Sequence, residues 1–217
     1  MTSIAILGGT GQQGGGLARR LSRAGARVIV GSRDPDRACG TVAEWGAAPQ
    51  PIDVAGYAAA VARADVTMIA VPFGSVDALL TEVRASLRHG TVVIDVTVPI
   101  TFTAGKMAML DVAEGSASEH IRARLPDGVG LAAAFKTIPA RLLGAGDEPL
   151  DCDEFVCGDS DEARARAVEL VRLLPGLRPV DVGPLSRARS IEHLTALAIA
   201  INRRHKIHDA RFRIVGL

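Results

Sequence analysis

The chain has 217 residues, a formal net charge of +1, 48% hydrophobic residues and 23% charged ones. That length buries a sizeable core in one or two domains, and the near-neutral balance excludes a global electrostatic pull toward nucleic acid or a membrane surface. The longest apolar runs, "LTALAIAI" and "VTMIAVPF", are too short to span a bilayer, and no basic stretch leads into an apolar core at the N-terminus, so a cytoplasmic protein is expected.

Taken in chain order, short β-branched apolar runs alternate with helical patterns, the signature of a parallel sheet covered on both faces. The strand "SIAILG" leads to a helix over 15–25, and "RVIVGS" to a helix over 35–46, where Asp34 caps and Pro35 suits the first turn. A helix over 55–63 precedes the strand "DVTMIAVP", and a helix over 75–88 precedes "TVVIDVT". The stretch 99–118 has no clean period and is long for a connection, so it reads either as a functional flap or as a misread element. Beyond it come a helix over 116–125 and the strands "GLAAAFK" and "DEFVCG". A helix over 160–174 follows Asp159-Ser160, with early acids and later arginines that complement its dipole, and then the strand "RPVDVG". After Gly183-Pro184 the pattern becomes one long helical run with a basic tail. The expected fold class is α/β, a Rossmann-type, doubly wound, mostly parallel sheet over 1–183, with a helical segment over 184–217 that caps it.

The cysteines Cys39, Cys152 and Cys157 give no disulfide framework, and the pair in "CDEFVC" suits buried packing better than metal ligation. His205 and His208 read first as parts of a solvated basic segment. No metal is assigned.

The chemistry sits in "ILGGTGQQGGGLARRL", residues 6–21. A glycine fingerprint is weak in isolation, but here an apolar strand precedes it, a helix follows, and a second strand comes next. In Gly9-Thr10-Gly11-Gln12-Gln13-Gly14, Gly9 is expected to make the tight turn, Gly11 to let the backbone approach a pyrophosphate, and Gly14 to let helix and strand pack closely. Gly15 and Gly16 have no evident role. The second strand selects the nucleotide: "GSRDPDR" offers Ser32 and Arg33 at its end and Arg37 one turn on, which suits a 2′-phosphate and favours NADP(H) over NAD. Asp34 is the rival ribose ligand, against its role as a helix cap, and Arg37 reads equally as a solvated arginine.

No nucleophile triad, paired-carboxylate site or metal cluster is evident, which favours hydride transfer. Asp53, Asp65 and Asp95 lie near strand ends, where aspartates are usually caps or turn residues.

The motifs "ILGGTGQQGGGLARRL", "VIVGSRDPDRA", "AVPF", "VIDVTVP", "FKTIPA", "FVCGDSDEA", "GLRPVDVGPLS" and "INRRHKI" together resemble the F420-dependent NADP reductase family nearly end to end. The resemblance implies reversible hydride exchange between the nicotinamide C4 of NADP and C5 of the deazaflavin coenzyme F420, in a homodimer, with neither nucleic acid nor membrane as partner. It implies that Thr10, Ser32, Arg33 and Arg37 hold the adenosine phosphate end and that Val71 and Pro72 line the path to the nicotinamide. Backbone groups of Ile138 and Ala140 fix the carboxamide and the deazaflavin ring, and Val98, Pro99, Pro139 and Leu185 form apolar walls. The segment 184–217 completes the substrate pocket. No side chain need act as acid or base, because positioning two planar rings is most of the task. Plain core packing is the competing account of the apolar positions.

Lys136 departs from the family's pattern. It reads either as a pocket lysine able to attract an anion or donate a proton, or as a strand-end lysine with its head in water. The first reading supports an alternative, an NADPH-dependent reductase of an imine, carbonyl compound, flavin or ferric ion. A non-catalytic NADP-binding protein is the third reading. The basic tail "NRRHKIHDARFR" reads as a steering surface for an anionic substrate or as a solvated end or dimer contact.

Overall fold

The computed structural model describes residues 2–46, 49–103, 105–146 and 148–217. Its centre is an eight-stranded sheet in the order β10-β9-β8-β5-β4-β1-β2-β3. These strands are β1 (Ser3–Leu7), β2 (Arg27–Ser32), β3 (Ile52–Gly56), β4 (Val66–Ile69), β5 (Val92–Asp95), β8 (Gly130–Ala133), β9 (Cys152–Gly158) and β10 (Leu177–Pro184). Every neighbouring pair is parallel except β8 and β9, so the sheet is the mostly parallel, Rossmann-type one expected.

The two-residue period of a strand sends alternate side chains to opposite faces, and both faces are buried. Along β1, Ile4 and Ile6 enter one core with Leu17, Leu21, Met68 and Ile94, whereas Ala5 and Leu7 enter the other with Ile29, Ile69, Leu79 and Val93. The first face is covered by α1 (Gln12–Arg23), α2 (Pro35–Ala43), α6 (Ala140–Gly144) and α7 (Asp161–Arg172), and the second by α3 (Tyr57–Ala62), α4 (Val76–Val83) and α5 (Ala117–Arg122). The helix α8 (Ala188–His205) follows β10 and ends where Lys206 turns left-handed at φ 53°. The tail then returns to the sheet: Asp153 N donates to Phe212 O at 2.9 Å, and Arg178 grips Asp153 with two bonds of 2.7 Å. No described helix is long and apolar enough to cross a membrane.

Local signals operate as read at two helix starts. Asp34 Oδ1 accepts from Arg37 N at 3.0 Å with Pro35 at the first helical position, and Ser160 Oγ accepts from Ala163 N at 3.1 Å. Other elements differ from expectation. The stretch 99–118 holds strands that its sequence did not announce, a hairpin of β6 (Ile100–Thr103) and β7 (Lys106–Met109), which among the described residues pair only with each other. Strand β3 lies in a stretch read as a connection and the start of a helix, because a half-buried edge strand of mixed polarity carries little periodicity. The run "GLAAAFK" stops being strand at Ala133, and Phe135 adopts φ 60°.

Gly15 and Gly16 acquire a role in packing. A Cβ on Gly16 would stand 2.5 Å from Leu143 Cβ, so the bare helix face lets α6 lie directly on α1. Arg20 of α1 completes the contact by donating to the carbonyls of Leu142, Leu143 and Glu148 at 2.8, 3.2 and 2.9 Å, which serves the carbonyl end of α6.

Candidate dinucleotide and hydride-transfer site

Strands β1 and β4 are neighbours, yet the chain leaves β1 toward β2 on the other side. Their C-terminal ends therefore open at a topological switch point, where crevices form in such sheets. The loop after β1 fills one wall. Gly8 is its left-handed residue, at φ 83°, and Gly8 N donates to Gly31 O at 3.2 Å. Gly9 closes the same turn, its N donating to Ile6 O at 3.1 Å; it lies outside the left-handed region, and a Cβ there would meet Ile6 O at 2.9 Å and Val30 at 3.1 Å. Gly14 is required as expected, since a Cβ would stand 2.5 Å from Gly8 O. Gly11 caps α1, and a Cβ there would meet only Gly8 O at 3.3 Å, so the loop's backbone is bare on its outer side.

A cleft of about 380 Å³ lies beside this loop, lined by Thr10, Gly11, Ser32, Arg33, Val71 and Pro72 among others. Arg33 thus shares one cavity with the unpaired amide end of α1, and both favour an anion. A bare glycine loop, a helix N-terminus and a guanidinium in one cleft fit a dinucleotide phosphate. Ser32 Oγ accepts from Asp34 N at 3.1 Å and donates to Asp34 O at 3.0 Å, while the Asp34 carboxylate is spent on its helix cap. Arg37 is exposed on α2 outside the cleft lining, and Gln12 is exposed at the helix start.

Tyr57 and Glu82 are among the cleft residues that escaped the sequence reading. Tyr57 opens α3 beneath Arg33, and Glu82 of α4 stands nearby. Burial pushes the Tyr57 phenol above its ordinary range, opposed by the charge of Arg33 and its hydrogen bond to the phenol. The sole tyrosine of the chain, directly after a strand-ending glycine, was the available signal.

The second half of the candidate site is the turn between β8 and α6, residues 134–139. Gln13 does not point into the cleft. Its amide donates to Phe135 O at 2.8 Å and reaches Ile138 O at 3.4 Å. The Ile138 side chain is in the core, and Pro139 and Ala140 are half-buried at the start of α6. Across from them Val98 is half-buried and Pro99 buried after β5, and Leu185, 8% exposed, packs in the core of the second face.

Lys136 is the principal correction. Its ammonium is neither in water nor free to act: the side chain is 0% exposed, and its three protons match three acceptors. Nζ donates to Asp95 Oδ2 at 2.6 Å, to Glu192 Oε1 at 3.2 Å, and to Thr97 O. Burial alone would lower its pKa, but the carboxylates of Asp95 and Glu192 outweigh it and hold the ammonium above its ordinary value. Burial raises Glu192 in turn. Asp95 is both turn residue and ion-pair partner, since its Oδ1 accepts from Thr97 N and Thr97 Oγ1, each at 2.7 Å, and Ser118 Oγ donates to Oδ2 at 2.6 Å.

Comparison with known proteins identifies relatives along the whole chain. The family described as NADP oxidoreductase, coenzyme F420-dependent, matches residues 3–99. The F420-dependent NADP reductase of Methanothermobacter thermautotrophicus is 38% identical, over 99% of this chain and 95% of that protein. The enzyme of the same name from Methanothermobacter marburgensis is 39% identical, over 99% and 98%. A protein of Arthrobacter sp. FB24 with a known crystal structure superposes with a TM-score of 0.85 at 25% identity, covering 99% of this chain and all of that one. With relatives of this similarity aligned end to end, the chain belongs to the F420-dependent NADP reductase family.

Proposed function

We propose that the protein exchanges a hydride between NADP(H) and the deazaflavin coenzyme F420. The observation that carries this reading is the presence of Ser32 and Arg33 in the same cleft as the glycine loop, in a chain whose full-length relatives bear that activity's name. When bound, the nicotinamide supplies the hydride at C4 and the deazaflavin accepts it at C5. The chain's own task is binding, orientation and exclusion of water.

Gly9, Thr10, Gly11, Gln12 and Gly14 form the pyrophosphate cradle. Arg33, with Ser32 and Arg37, takes the 2′-phosphate; a guanidinium pairs bidentately with phosphate oxygens, and Ser32 exchanges its bond to Asp34 for one to the ligand. Val71 and Pro72 guide the cofactor toward the turn, where backbone groups of Ile138 and Ala140 hold the carboxamide and the deazaflavin ring. Val98, Pro99, Pro139 and Leu185 are the apolar walls, and the segment 184–217 closes the substrate side of the dinucleotide-binding unit 1–183. On this reading the transfer needs no general acid or base, and Lys136 is not its proton donor, since its three protons are engaged by Asp95, Glu192 and Thr97.

The working unit is a homodimer in the cytoplasm. Support comes from exposed apolar side chains on the hairpin and α8, with Phe102 60% and Leu197 50% exposed, and from free Cys39, Cys152 and Cys157, which suit a reducing compartment.

The test mixes purified protein anaerobically with NADPH and oxidised F420 and follows the deazaflavin absorbance, with NADH and riboflavin as controls. NADPH-dependent bleaching is expected. Tight NADPH binding without bleaching refutes F420 as the acceptor while leaving the nucleotide reading standing.

A further inference from the structure

The turn between β8 and α6 is held with more bonds than its connecting role requires. Phe135 is left-handed at φ 60°, a conformation that costs a bulky residue and persists only when its surroundings impose it. Two side chains from distant elements impose it. From the first turn of α1, Gln13 donates to Phe135 O at 2.8 Å. From β9, Glu154 accepts Lys136 N on Oε1 at 3.0 Å and Thr137 Oγ1 on Oε2 at 2.8 Å, and the amides of Phe135 and Thr137 also point to it. Thr195 of α8 adds a bond of 2.9 Å to Lys136 O.

Glu154 is fully buried, and among the described residues its bonds run to the turn's amides and hydroxyl, with no ion pair to a cation. An enclosed carboxyl of this kind is expensive, and burial pushes its pKa up to about 7. An apolar residue on β9 would avoid that cost but leave the turn's donors unmet. Gln13 adds a second relation. It stands in the first turn of α1, two residues after the cleft-lining Gly11, so one short piece of chain carries both the cleft wall and the brace of the turn.

We propose that Gln13 and Glu154 are positioning residues that clamp the 135–138 turn and thereby set the distance and angle of hydride transfer. The proposal rests on the reading that Ile138 and Ala140 hold the nicotinamide and deazaflavin. Gln13 fixes the turn's carbonyl side against the dinucleotide loop, and Glu154 fixes its amide side against the sheet. Neither touches the reacting atoms; both act through the backbone between them.

The test is single-turnover transfer from NADPH to F420 in Gln13→Leu, Thr137→Val and Glu154→Gln. NADPH affinity and the primary isotope effect with NADPH deuterated at the transferred position are measured alongside. Displacement of reacting groups by a fraction of an ångström predicts transfer slowed by about 10- to 100-fold, an altered isotope effect, and NADPH affinity within about threefold of the unaltered protein. Loss through NADPH affinity alone overturns the clamp, as does a lowered melting temperature with rate and isotope effect unchanged. If Glu154→Gln fails to fold, Gln13→Leu and Thr137→Val decide. Absence of bleaching in the unaltered protein refutes F420 as the acceptor, and the clamp on that transfer with it. Equal rates in all four proteins refute the clamp alone.

Discussion

Lys136 Nζ and Asp95 Oδ2 stand 2.6 Å apart with neither side chain exposed to water, and Glu192 completes the group from α8 at 3.2 Å. One ammonium therefore ties the loops after β5 and β8 to the C-terminal helix. The low local dielectric makes the arrangement strong when complete and costly when broken. Lys136→Met leaves two carboxyls in the core without their cation, so a loss of about 3–5 kcal/mol in urea unfolding is expected. Adding Glu192→Gln to that variant should recover part of it. A loss below about 1 kcal/mol would show that the ion pair is not what holds these loops.

Arg33 is the test of nucleotide choice. Replacing it with alanine removes a charge-assisted bond to the 2′-phosphate, and NADPH binding should weaken by about 1.5–3 kcal/mol while NADH binding changes little. Titration calorimetry with both nucleotides checks this, and equal losses would assign Arg33 a general structural role.

Two glycine-to-alanine changes on helices should act with opposite sign. Gly16→Ala drives a methyl to 2.5 Å from Leu143 Cβ in a tight helix contact, and a loss of about 1–3 kcal/mol is expected. Gly40→Ala on α2 meets nothing within 4 Å and removes unfolded-state freedom, so a gain of about 0.5–1 kcal/mol is expected. Thermal unfolding of both variants checks the pair, and a tolerated Gly16→Ala would mean that α6 is free to shift.

Glu154 gives the protein a pH dependence of known sign. Its carboxyl lies at about 7 when folded, above its ordinary value of 4.5, so between these limits the folded chain holds a proton that the unfolded chain releases. That contribution is complete below about pH 4.5 and is lost as the pH rises through 7. The expected size is on the order of 3 kcal/mol. Glu154→Gln should flatten this slope, gaining stability relative to the unaltered chain at pH 8 but not at pH 4.5. Parallel pH profiles for the two proteins would remove Glu154 as the titrating group.

The legible parts of the sequence were those whose signals are local. Buried parallel strands announce themselves as β-branched runs, Asp34-Pro35 and Ser160 as helix starts, and Gly14 as a close contact once a strand and helix flank it. What escaped depends on residues far apart in the chain. The short helix α6 rests on α1 because Gly16 leaves room for it and Arg20 donates to its carbonyls, more than 120 residues away. The surroundings of Lys136 were unreadable for the same reason: its partners come from β5 and α8, 41 and 56 residues distant. Glu154 was hidden in "DEFVCG", where alternation assigns a face but not a partner. That the turn after β1 takes its left-handed residue at Gly8 was not legible either, because a motif's spacing does not report φ.

The β6–β7 hairpin has a different kind of independence. Its two strands form a ladder with each other alone, whereas β5 is paired on both sides by β4 and β8. An isolated two-stranded hairpin adds little cooperative stability, so it can open while the main sheet stays closed. Replacing Ile100–Met109 with a hairpin of another length or polarity would leave all eight strands of the large sheet and their registers intact. The registers of the large sheet therefore set neither the length nor the polarity of this arm.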